Sequence, residues 1–273
     1  MPSVVPSPRS LSDELATYAA RVGEPIRSLG GAFMLDPATI AAGQELGLDF
    51  PISYGLGRGG VLGDVHADVV IAAFVFFESS VVQGIWDAGR ELVAPAVAAE
   101  GFTESCRVWG RTHLSSVDGL DELCALAERV VAAASVPGLP LFAAWRAVPL
   151  PADLPARAAQ LCHVLREHRG GCHAIGVLAS GLHPLEALVV NGGSATASLF
   201  GWPEPHPRPL ELTAAAVAAE AITNRLAAGA YLALTAPERD RLAVLLKAAA
   251  SAAGLDAPSN RIEDARRAAE GDD

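Results

Sequence analysis

Lysine is nearly absent from this 273-residue chain; Lys247 is the only one. Arginine therefore carries the positive charge, and a Walker A loop or a Schiff-base lysine is excluded except at Lys247. Aromatic residues are scarce as well, at 5%, although hydrophobic residues reach 51%. Much of the apolar content is alanine, a strong helix former and a poor strand former, so packed helices are expected. Only Cys106, Cys124, Cys162 and Cys172 are present, with no CxxC pair. Buried free thiols are expected in place of disulfides. Long apolar runs are missing too. Val69 to Phe77 ends at Glu78, far short of the ~20 residues a membrane-spanning helix needs. The N-terminal stretch has no signal-type apolar core, so a cytoplasmic setting is expected. No alternating hairpin pattern, internal repeat or GxSxG elbow is found. A net charge of −11 argues against a protein that coats phosphates.

What is present reads as helices. Ser10 to Asp13 opens a first helix, and Asp36-Pro37 caps a second. Gly47 to Gly63 is expected to be a glycine-rich loop, followed by one long buried helix from Asp64 to Val82. Asp118-Gly-Leu-Asp121 is expected to cap an amphipathic helix. The proline-rich stretch 137–155 reads as a linker with a short helix from Leu141 to Ala147. Pro155 to Arg169 is helical, and Gly170-Gly171 is expected to end it. Cys172 to Ser180 then reads as a separate short helix. His183-Pro184 starts another, and Thr235 to Glu238 is a capping box for the last. The fold class expected is all-α. An N-terminal helical domain covers 10–136 and a C-terminal one covers 156–253, with disorder at 1–9 and 254–273.

Few motifs carry chemistry. Gly55-Leu-Gly57-Arg-Gly-Gly60 matches GxGxxG formally, but Pro51 interrupts the strand that a dinucleotide site needs. A loop whose backbone amides and Arg58 face an anion is the alternative reading. His163, His168 and His173 are spaced by five, ~140° apart on a helix, so they do not converge. His168 and Cys172 have i, i+4 spacing, but the expected break separates them, and no metal site is expected. His163 and Glu167 are also at i, i+4, where the carboxylate would orient the imidazole. The stretch Arg166-Glu-His-Arg-Gly-Gly-Cys-His173 is the densest polar run within an apolar region, as in the lining of a cavity.

The segment Leu161-Cys-His-Val-Leu-Arg-Glu-His-Arg-Gly-Gly-Cys-His173, continuing to Leu188, resembles the LREHRGDGHxxxLxxxGLxxxEAL signature of an actinobacterial all-helical family. Tyr54-Gly-Leu-Gly-Arg58 followed by Gly63 is similar to its YxxxRxxPLG segment. The resemblance implies that the C-terminal domain is a degenerate helix-turn-helix or winged-helix-like bundle. The family's aspartate is missing, since Gly171 stands in its place. The 190–213 region leaves little room for a recognition helix and wing, which sets nucleic acid aside as a partner.

The resemblance extends to the paired aziridine-forming subunits of azinomycin-type biosynthesis. It implies a cofactor-independent enzyme, or one subunit of it, in which a ring amine displaces a neighbouring sulfate ester. A small anionic substrate and a homologous partner chain (heterodimer, or otherwise homodimer) follow from it. Tyr54, Arg58 and Arg169 would hold the anion; His168, His173, His163 and Glu167 would supply the base. A non-catalytic partner or ligand-binding subunit, or a helix-turn-helix-derived regulator, is the alternative. The enzyme reading requires the mid-chain arginines and imidazoles to face inward, toward the earlier glycine segment.

Overall fold

Helix-forming composition is realised throughout the computed structural model, which describes residues 8–255. Among the described residues there are twelve α-helices and no strand. The helices are α1 (Pro8–Gly31), α2 (Pro37–Glu45), α3 (Ile52–Gly59), α4 (Ala67–Ala73), α5 (Ser79–Leu92) and α6 (Pro95–Leu114). They continue with α7 (Leu120–Ala133), α8 (Pro140–Arg146), α9 (Leu154–Ala179), α10 (Pro184–Leu199), α11 (Thr213–Ala228) and α12 (Ala236–Ala252). Most of 1–9 and 254–273, where disorder is expected, lies outside the described residues.

Three of the expected capping signals act where they stand, whereas Ser10 to Asp13 lie inside α1, which already begins at Pro8. The Asp36 side chain accepts from Ala38 N at the start of α2. His183 and Thr235 each close a capping box, with Glu186 and Glu238 reaching back. At α7 the cap itself is Gly119, with φ +77°, and Asp121 sits in the first turn. All four cysteines are free and buried.

Three expectations fail for one reason: tertiary packing outweighs local punctuation. The Gly47–Gly63 segment is not a loop throughout, because 52–59 forms α3. Its glycines let neighbours approach; a Cβ on Gly55 would sit 2.4 Å from Ile85, and one on Gly57 would sit 2.9 Å from Phe102. The long helix expected over Asp64 to Val82 is interrupted at 74–78. Glu78 there caps α5 by accepting from Val81 N, at 3.1 Å, and its own N–H donates to Phe200 O at 3.0 Å. The break expected at Gly170-Gly171 is absent, and α9 runs 26 residues without interruption. Two glycines cost a helix about 2 kcal/mol relative to alanine. Burying an apolar side chain returns roughly 1.5–3 kcal/mol, and Leu161, Leu165, Cys172 and Val177 are all buried on this helix.

α9 is the axis of the molecule, about 39 Å long at 1.5 Å per residue. It is packed by α1, α6, α7, α8 and α11. Contact is close enough to demand glycine. A Cβ on Gly30 of α1 would lie 2.4 Å from Cys162 O, and one on Gly176 would lie 2.5 Å from Ala219 O of α11. One continuous core extends from Leu15 to Ala250 and includes Trp86, Phe142 and Trp145. α10 stands apart. Its buried residues join two small clusters, both of which rest on Phe76. No single described helix is long and apolar enough to cross a membrane.

Candidate functional site: the polar face of the central helix

Tyr54 and Arg58 are four residues apart on α3, so they share a helix face. That face meets α9 at Glu167. Arg58 donates from Nε to Glu167 Oε1 at 3.0 Å and from Nη2 to Oε2 at 2.8 Å. Arg58 also donates to Tyr54 OH at 3.3 Å, and its guanidinium lies 4.7 Å above the Phe74 ring. Arg166 adds a second guanidinium, donating from Nη1 to Glu167 Oε1 at 2.7 Å. The pair is nearly dry: the Arg58 and Glu167 side chains are 12% and 2% exposed, while Arg166 keeps 26%. Burial works against the Glu167 carboxylate, but Arg58 and then Arg166 override it and hold it at about 2. Two cations converge on one anion, which leaves one positive charge in excess.

The imidazoles occupy separate environments. His163 donates from Nδ1 to Gly30 O at 3.3 Å, since a carbonyl only accepts. Its ring is enclosed by Phe33, Phe102 and Trp145. Nε2 is buried without a hydrogen-bond partner, as is the nearby Trp145 Nε1. Burial lowers the His163 imidazole to about 4. Glu167 does not orient it, because the hydrogen bonds of that carboxylate go to Arg58 and Arg166. His168 packs edge-on against Phe142 at 4.8 Å. Because α9 is unbroken, His168 Nε2 lies 3.9 Å from Cys172 Sγ. Burial and then Arg169 lower His168 to about 4, and burial pushes the Cys172 thiol up to about 11.

His173 is the accessible imidazole of the three, with 24% of its side chain exposed. Its Nδ1 lies 3.2 Å from Thr223 Oγ1 and 3.6 Å from Glu220 Oε2, and its ring stacks on Phe76 at 5.4 Å. Burial and Arg169 shift it downward against the opposing pull of Glu220. Arg169 pairs with Glu220 and donates to Asn224 Oδ1 at 2.9 Å.

The structure thus joins Tyr54, Arg58, Glu167 and Arg166 in one network. Arg169 and His173 form a second network against α11. His163 and His168 make their contacts in the core. The backbone amides expected to face an anion belong to α3 instead; Gly55 N, for example, donates to Pro51 O at 3.0 Å. Arg166 also belongs to the site, a role that its residue type alone does not reveal. The signal for it was its position beside Glu167 in the densest polar run.

Two spaces lie near these groups or away from them. A cavity of about 20 Å³ between α2, α3 and α6 is lined by Tyr54, Met34 and Phe102, room for about one water molecule. An open depression of about 480 Å³ is lined by Asp64, Asp87, Glu91 and Arg90. Its acidic walls disfavour an anion.

Two of the basic residues of the last helix are paired within the fold, while Arg225 of α11 and Lys247 of α12 are exposed. Arg239 is buried and pairs with Glu14 at 2.9 Å, and Arg241 pairs with Glu122 at 2.7 Å. The model of a helix-turn-helix family matches residues 18–257. No curated protein and no solved structure matches the chain.

Proposed function

The chain belongs to the helix-turn-helix family, and we propose that it serves a small anionic molecule and not a nucleic acid. One observation carries this reading: Arg58 and Arg166 share the single carboxylate of Glu167, so the cluster holds one positive charge in excess, at the partly exposed guanidinium of Arg166. An oxyanion at the exposed part of the Arg166 guanidinium would complete the balance through charge-assisted hydrogen bonds. Inward-facing ionisable groups with displaced pKa values are a common mark of functional sites.

The chemistry assigned to the site is acid–base chemistry without a cofactor. His173 is the base in this reading, because it is near solvent and shifted toward the neutral form that accepts a proton. His163 and His168 are enclosed by core side chains and act as structural imidazoles. The finer reading rests on the resemblance of the 161–188 segment to aziridine-forming subunits. A substrate amine forms a C–N bond as the neighbouring C–O bond to a sulfate ester breaks. Sulfate leaves with the electron pair toward Arg166, and the amine proton passes to His173. A homologous partner chain completes the enzyme in this scheme.

Two measurements test the reading. Isothermal titration of the full chain with inorganic sulfate should show binding that Arg166→Gln abolishes while the fold is retained; no binding by the wild type overturns it. The chain should also pass through heparin and duplex DNA columns at low salt. Tight, salt-sensitive retention would establish the regulator reading, which the family membership favours. The finer scheme falls if the chain with its homologous partner releases no sulfate from a vicinal amino sulfate ester.

A further inference from the structure

We propose that the bare backbone of α9 at Gly170 is the floor on which the flat body of an anionic ligand lies, its oxyanion held at Arg166. The proposal rests on the anion-site reading above and adds to it the class of ligand and its place.

Glycine within a helix is destabilising by about 0.5–1 kcal/mol relative to alanine. Its presence there calls for a reason. Two other glycines of α9 have one in packing. A Cβ on Gly171 would sit 2.6 Å from Leu139 Cδ2, and Gly176 is pressed against Ala219 O. Gly170 has none. Its backbone is helical, it is exposed, and a Cβ there would meet nothing within 4 Å. The fold would accept a larger residue. Gly84 on α5 is equally open, but its face carries Ser80, Val81 and Asp87 and no cation.

The face around Gly170 is different. Residues at i−4, i−3 and i+3 share a helix face, which places Arg166, Glu167 and His173 around the gap. Arg166 and His173 are about 10 Å apart along the axis. Between them the helix backbone is open to close approach. Phe76, stacked on His173, supplies an aromatic wall at the far end. A cation at one end, an aromatic wall at the other and a bare floor between suit a compact aromatic or unsaturated sulfate or carboxylate.

The experiment titrates the full chain with 4-nitrophenyl sulfate and with inorganic sulfate. The wild type should bind the aryl sulfate at least tenfold more tightly. Gly170→Leu should keep its affinity for inorganic sulfate, lose the aryl preference and melt no lower than the wild type. Gly170→Ala, with a single methyl, should give a smaller loss, and Gly84→Leu should change neither affinity. Equal affinities in the wild type, or a tenfold preference that survives in Gly170→Leu, would overturn the floor while leaving the anion site in place. Failure of the wild type to bind either probe would remove the anion site itself.

Discussion

Two arginine–glutamate pairs hang from α9 within one turn of each other, and they are built differently. Arg58 and Glu167 are 12% and 2% exposed, bidentate, and shared with a second arginine. Arg169 and Glu220 are 20% and 28% exposed, and polar neighbours Asn224 and His173 surround them. The first pair is an electrostatic commitment inside the core, and the second is a solvated clasp between α9 and α11. Residue types alone do not separate them. What separates them is the amount of water left around each, because the same Coulomb attraction grows as the dielectric falls.

The largest test of that contrast is Glu167→Gln. It removes the only anion from between two guanidiniums and should cost about 3–5 kcal/mol. For a chain of this size that is a fall in Tm of roughly 10 °C, read by calorimetry. The second test is acid. His163 and His168 are held at about 4 in the fold, against about 6.5 when unfolded. The unfolded chain therefore binds more protons below 6.5, and stability drops as pH falls through the window from 6.5 to 4. Each imidazole should account for on the order of 2 kcal/mol by pH 5, seen in urea midpoints. A flat profile between pH 7 and 5 would mean that both rings meet water.

Smaller effects belong to the solvated side. Glu220→Gln should cost about 1 kcal/mol or less, as partly exposed pairs do; a loss as large as that of Glu167→Gln would erase the distinction. Gly170→Ala should raise stability by about 0.5–1 kcal/mol, because it adds helix propensity in open space. A decrease in Tm would place an unseen neighbour over that position.

Helix type and capping were legible in the residues because they are local properties. Asp36, His183 and Thr235 act where they stand. Breaks were less legible. The double glycine at 170–171 reads as a stop until Leu139 is seen to need Gly171 and the buried apolar face of α9 is seen to carry the helix through. Glu78 read as a polar residue within a helix, whereas it begins one. For the site, Arg58 and the 166–173 run were visible as residues out of place in an apolar chain. Their division into a sealed network and an open one was not, since it depends on α3 and α11 approaching α9 from opposite ends of the sequence. The enclosure of His163 by Phe33, Phe102 and Trp145 is non-local in the same way.

One long-range contact bears on how the chain is made. Tyr18 of α1 donates its hydroxyl to Arg239 O at 2.7 Å, across 221 positions of sequence, and stacks edge-on with Tyr231. During translation α1 therefore emerges well before its covering surface exists. At about 5–20 residues per second, the delay is on the order of ten to forty seconds. Throughout that interval α1 is without α11 and α12, which pack against it in the finished fold.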